Sequence, residues 1–153
     1  MSTVDERLAE LGLSLPDVAK PAGAYVPAIT TGNLVFTAGQ LPSTAGVLPA
    51  TGKVGAEVTP EDAKQYARVC VLNGLAAAKS VLGSLDRIVK VVKVVGFVSS
   101  DPAFTGQPGV INGASELLGE IFGEAGAHAR SAVGVAALPL DAPVEIEFVF
   151  EFA

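Results

Sequence analysis

Near its C-terminus the chain carries a strict two-residue period: Val144, Ile146, Phe148, Phe150 and Phe152 alternate with Glu145, Glu147, Val149 and Glu151. Successive side chains of an extended strand point to opposite faces, so this pattern demands a strand that is apolar on one side and polar on the other. A sheet built on such a strand is covered on one face only. Three phenylalanines on the apolar side require helices packed against them, and two segments have the pattern to supply that cover.

The first begins at Thr59-Pro60-Glu61-Asp62: a threonine cap, proline at the first helical position, then carboxylates facing the positive end of the helix dipole. From there Ala67, Cys70, Val71, Gly74, Leu75, Ala78 and Leu82 form one stripe with a period near 3.6, and Gly83 supplies a stop. The second is marked by Val110, Ala114, Leu117, Leu118, Ile121 and Phe122 and ends at Gly123. A short amphipathic helix is expected over Thr3 to Leu11. Tyr25 to Thr30 and Asn33 to Ala38 read as a hairpin around Thr31-Gly32, and the Gly39 to Gly55 stretch as an excursion with at most a short strand. Arg87 to Val98, dense in valine, reads as a long buried strand, with a bulge where Lys90 and Lys93 break the alternation. Ala129 to Ala137 is a further strand, with Val133 and Val135 on one face and Arg130, Ala132, Gly134 and Ala136 on the other. Its small-residue face is expected to stay open to water or to another copy. The last two strands are expected to form a terminal hairpin. The expected class is α+β, a mixed sheet with two main helices on one face plus the short opening helix.

The chemistry available to this chain is narrow. A net charge of −6 leaves no general attraction to phosphate backbones or anionic lipid, so nucleic acid and membrane are not expected partners. The most apolar stretch, Ile88 to Val98, is too short to span a bilayer and is interrupted by two lysines. The opening MSTVDERLAE has neither the basic start nor the apolar core of a signal peptide, and the one cysteine cannot make an internal disulfide, so a cytoplasmic location is expected. Cys70 falls on the apolar stripe of the long helix and reads as a core residue. His128 is the only histidine and reads as a surface residue at a strand edge, with no histidine cluster or serine triad around it. With no P-loop or dinucleotide fingerprint, no metal and no cofactor are expected.

Several separated segments carry a resemblance. Ala24-Tyr25-Val26 and then Gly32 to Pro42, with Thr37-Ala38-Gly39-Gln40-Leu41-Pro42, resemble the opening hairpin and T-S-G-Q-[IL]-P motif of the Rid (reactive-intermediate deaminase, or YjgF) family, which also bears the endoribonuclease L-PSP label. Ala129-Arg130-Ser131-Ala132-Val133, Leu138-Pro139 and Val144-Glu145-Ile146-Glu147 resemble its closing signature, with arginine and first glutamate fifteen residues apart as in the family. The likeness runs from about residue 20 to the C-terminus, which makes residues 1–20 an N-terminal extension of a single domain spanning 1–153. It implies a chorismate-mutase-like fold, a homotrimer with clefts between protomers, and hydrolysis of enamines and imines of small 2-oxo acids with release of ammonia. Ala38 stands where the family has serine, and Ala132 where cysteine is common in the best-studied branch. Both mark a divergent branch.

By that resemblance Arg130 clamps a substrate carboxylate through two charge-assisted hydrogen bonds, Glu145 handles the attacking water, and Tyr25, Gly39 and Phe97 shape the site. Each residue has a plainer reading: a cross-strand ion pair, a solvated strand glutamate, a half-buried tyrosine, a turn glycine and a core phenylalanine. In a terminal hairpin Arg130 would lie beside Glu151 or Val149, and Glu145 about 16 Å further along at 3.3 Å per residue. A functional Arg130–Glu145 pair is then expected to form only between protomers. A non-catalytic protein that binds small carboxylates in the same cleft is the alternative, while endoribonuclease action is disfavoured by the acidic charge.

Overall fold

The computed structural model describes residues 3–153. Thr3 caps the first helix, α1 (Val4–Glu10), by accepting the Glu6 amide at 3.1 Å, and Leu8 from this helix is buried in the core. Strands β1 (Ala28–Thr31) and β2 (Leu34–Thr37) form the hairpin, turning through Gly32 and Asn33 with Gly32 at φ 56°. Both strands are shorter than the apolar pattern predicts. Pro27 has no N–H to give to a ladder, so pairing starts at Ala28 and leaves Tyr25 and Val26 outside the sheet.

Helix α2 (Pro60–Leu82) follows its predicted limits: Thr59 Oγ1 accepts from the Asp62 amide at 3.1 Å, and Gly83 ends the helix at φ 81°. Its predicted stripe is the buried one, and Gly74 lets the helix close onto the Phe148 ring. Strand β3 (Ile88–Ser99) shifts register against its neighbour at Ile88/Lys90 and Val91/Lys93, where the lysine spacing predicts irregularity. Helix α3 (Gln107–Phe122) stops at Gly123 as read. Among the described residues no helix is long and apolar enough to cross a membrane.

The two closing strands, β4 (Ala129–Val135) and β5 (Val144–Phe152), do not pair with each other, which corrects the expected terminal hairpin. The sheet order is β1-β2-β5-β3-β4, with β5 antiparallel to both β2 and β3 and β4 parallel to β3 on the far edge. The reason is the crossover: β3, α3 and β4 form a β-α-β unit, whose geometry lays its second strand parallel beside its first. Strand β5, with Phe148 and Phe150 almost fully buried, then takes the central slot between β2 and β3.

Helices α2 and α3 cover one face of this sheet, over Val91, Val94, Val98, Ile146, Phe148 and Phe150. The other face carries Glu145, Glu147, Val149 and Glu151 of β5 beside Val95 and Phe97 of β3, and it exposes Ile29, Phe36 and Val133 by 60%, 39% and 45%. The parallel register Val94↔Arg130 turns Arg130, Ala132 and Gly134 toward the helix side. The small-residue face of β4 is therefore not the open one; the valine face is.

Candidate functional site

Tyr25 and Gly39 line one cleft of about 710 Å³, closed on one side by residues 16–22 and on another by Leu140. Tyr25 is half-exposed, and its hydroxyl accepts from the Ala22 amide at 3.2 Å, tying the entering chain to the cleft wall. Gln40 and Ile146 exchange backbone hydrogen bonds of 2.8 and 3.0 Å, and this bridge brings Gly39 alongside Glu145. Any Cβ at position 39 would run into the Glu145 carboxylate. With glycine there, the carboxylate lies directly against the backbone of residue 39, a position that a side chain would force it to leave. The half-buried Glu145 carboxyl is pushed above its ordinary pKa, first by loss of solvent and then by the neighbouring charge of Glu147. Phe97 is the cross-strand partner of Glu145 on the uncovered sheet face, not a member of the helix-side core.

Asn73, which sequence reasoning missed, holds the cleft loop from behind. Its Nδ2 donates to the Leu41 and Ser43 carbonyls at 3.0 and 2.9 Å. The sequence shows only an amide beside the apolar stripe of α2; that it is buried, and so must find partners, is visible only in the fold.

Arg130 lies elsewhere. From Glu145 it is two strands across and three residues along, about 14 Å between backbones at ~4.8 Å per strand and ~3.3 Å per residue, and it points to the opposite face. The expected neighbours Glu151 and Val149 are not beside it, because β4 pairs with β3. Its Nη1 donates to Asn112 Oδ1 at 2.8 Å and to Ser115 Oγ at 3.2 Å, both on α3. Among the described residues no carboxylate pairs with it, and Nε and Nη2 carry no hydrogen bond. The plain ion-pair reading therefore fails. One edge of the guanidinium is anchored, and the other, the edge that can grip a carboxylate bidentately, is open.

Beside it, His128 is not a free surface residue as predicted. It is half-buried, with Nε2 2.9 Å from Ser115 Oγ and Nδ1 2.6 Å from the Gly126 carbonyl. Arg130, His128 and Ser115 line a second, shallower cavity of about 420 Å³. Cys70 is buried as read, and desolvation pushes its thiol well up, away from nucleophilic use.

Comparison with known proteins places this sequence and fold among relatives. The model of the family described as "YjgF/chorismate mutase-like, putative endoribonuclease" matches residues 5–153. The chain is similar to Protein TCP17 of Trypanosoma cruzi, 43% identical over 149 residues, covering 97% of this chain and 93% of that protein. It is similar to the crystal structure of Atu1372, described as of unknown function, from Agrobacterium tumefaciens, with 45% identity, a TM-score of 0.90, and coverage of 99% and 94% of the two chains. The structure of E. coli TdcF with bound serine is a more distant likeness, at 26% identity and a TM-score of 0.64, with coverage of 91% and 94%.

Proposed function

Because the chain belongs to the YjgF/chorismate mutase-like family, we propose that it hydrolyses imines of small 2-oxo acids, such as 2-iminopropanoate and 2-iminobutanoate, at sites assembled between subunits of a homotrimer. The observation that carries this reading is the Arg130 guanidinium, fixed on one edge by Asn112 and Ser115 and unpaired on the other. An uncompensated, pre-oriented fork suits a substrate carboxylate.

Arg130 and Glu145 stand on opposite sides of one sheet, so a site using both takes Arg130 from one protomer and Tyr25, Gly39 and Glu145 from the next. The exposed Ile29, Phe36 and Val133 on the uncovered face support burial against another copy. In the reaction, water adds to the imine carbon. Glu145 takes a proton from that water and passes it to the nitrogen, giving the carbinolamine; it then relays the hydroxyl proton to the amino group, and the C–N bond breaks as C=O forms, releasing ammonia and leaving the 2-oxo acid. A carboxylate with a raised pKa is a stronger base for the first of these transfers. Phe97, next to Glu145 across the strands, supplies an apolar wall. Neither a metal nor a cofactor is needed for these steps. That the TdcF structure holds serine, a small molecule with a carboxylate, supports the ligand class.

A second reading, a binding protein for small carboxylates without turnover, is favoured by Ala38 and Ala132, which offer no polar side chain where relatives in the deaminase branch do. The net charge of −6 argues against an RNA substrate. The test is ammonia release from freshly generated 2-iminopropanoate by wild type and Arg130→Ala, alongside the mass of the assembly in solution. Rates above background that vanish in the variant support the enzyme. Equal rates remove the catalytic assignment, saturable Arg130-dependent binding without turnover supports the second reading, and a monomer sinks the shared site.

A further inference from the structure

Three non-glycine residues of the described chain have a left-handed backbone, and they cluster: Ala45 at φ 52°, Leu140 at 60° and Asp141 at 58°. Ala45 and Leu140 both line the Tyr25–Gly39 cleft, and Asp141 follows directly. A left-handed backbone brings Cβ against the following carbonyl, so glycine adopts it freely and asparagine or aspartate at small cost, which leaves Ala45 and Leu140 as the strained pair. Leu140 is also 77% exposed, the most open of the large apolar side chains. Two unfavourable features thus fall on one residue, and packing within the chain offsets neither.

The turn is nevertheless held firmly. The Asp141 amide donates to Leu138 and the Ala142 amide to Pro139, each at 3.1 Å, while the Gly52 amide donates to the Asp141 carbonyl at 2.9 Å. The result is a rigid lip that projects an apolar side chain over the cleft. Other lining residues, Val18, Pro21, Leu41 and Leu48, are apolar as well, and a volume of about 710 Å³ far exceeds what 2-iminopropanoate fills. Backbone strain persists where the surrounding structure over-determines it, and such positions gather at clefts that clamp ligands.

We infer that Leu140 is a specificity-determining residue, an apolar jaw that contacts the substrate's side chain and favours imines of branched or aromatic 2-oxo acids over the smallest one. This rests on the reading of the cleft as a substrate site. The decisive variant is Leu140→Asn, because asparagine tolerates the left-handed backbone and removes the apolar contact. It is expected to melt at or above the wild-type temperature while kcat/KM for the imine of 4-methyl-2-oxopentanoate falls about tenfold, the scale of a lost apolar contact. Activity on 2-iminopropanoate should fall far less, so that the ratio of the two kcat/KM values shifts about tenfold, and Leu140→Met should retain the wild-type preference. Equal losses on both substrates, no loss on either, or a change in assembly mass that makes Leu140 an interface residue would overturn the inference. If wild type turns over neither imine, the hydrolytic reading fails on its own. The same variants are then titrated with 4-methyl-2-oxopentanoate and with pyruvate: weakening confined to the former upholds the role of Leu140, and equal affinities refute it.

Discussion

Arg130 and His128 meet at a single atom, the Ser115 hydroxyl oxygen, which lies 3.2 Å from Arg130 Nη1 and 2.9 Å from His128 Nε2. The Gly126 carbonyl can only accept, so Nδ1 of His128 carries a proton and, in the neutral ring, Nε2 accepts from Ser115. The hydroxyl proton is then committed to the histidine, and its lone pairs face the guanidinium.

The consequence is a prediction for Ser115→Ala. Loss of the hydroxyl removes one anchor from Arg130 and leaves His128 Nε2 without its partner, costing about 1 kcal/mol of stability. Looser aim of the fork should raise KM for the imine, or Kd for a 2-oxo acid, by several-fold while kcat changes less. Ser115→Thr, which keeps the hydroxyl, should restore wild-type binding. A variant with unaltered ligand affinity would show that the hydroxyl is merely structural.

For Gly39 the sign of the stability effect separates packing from chemistry. A methyl group at position 39 meets the end of the Glu145 side chain, which can swing aside, so Gly39→Ala should fold with little loss of melting temperature. The displaced carboxylate should nevertheless abolish turnover. Combining it with Glu145→Gln should cost no more than either change alone, because both remove the same group from the same place. Additive losses in that double-mutant cycle would show that the two residues act independently.

How much of this was legible beforehand depends on whether the signal was local. The Thr59 cap, the α2 stripe, the Gly83 and Gly123 stops and the alternation of β5 are written in consecutive residues and appear where predicted. The partner of β4 was not legible from adjacency, because neighbouring strands in sequence suggest a hairpin while the α3 crossover dictates a parallel edge. That error put Arg130 on the wrong side of the sheet. Asn73, Asn112 and Ser115 escaped notice for a related reason: each is one polar residue on an amphipathic helix, and its role exists only once a loop or an arginine from a distant segment arrives.

The raised pKa of Glu145 fixes a pH dependence of definite sign. A carboxyl that holds its proton more tightly when folded, above its ordinary value of about 4.5, opposes folding once ionised. Its favourable contribution is complete below the unfolded pKa and is lost as pH rises through the folded one. Glu145→Gln should therefore melt higher than wild type near neutrality, with the gap closing on acidification toward pH ~4. The general-base role proposed for Glu145 runs the other way: activity should fall as the carboxylate is protonated, on an acid limb lying above the ordinary glutamate range and absent from the variant. Parallel melting curves across that window would dismiss the shift.

The contact between Gly74 and Phe148 sets helix propensity against packing. In the middle of α2, replacing glycine by alanine should by itself stabilise the helix by about 1 kcal/mol. Here the added Cβ would stand 2.5 Å from ring carbons of Phe148, which is almost fully buried and stacked with Phe150 at a centroid distance of 5.8 Å. The ring has nowhere to move without displacing that neighbour, so overpacking of about 1–3 kcal/mol should prevail. Gly74→Ala is expected to lower the denaturation midpoint. Gly74→Ala with Phe148→Leu should recover part of that loss relative to Phe148→Leu alone, since the smaller side chain frees the space and the propensity gain remains. A stabilised Gly74→Ala single variant would mean that α2 and β5 are further apart than the close approach requires.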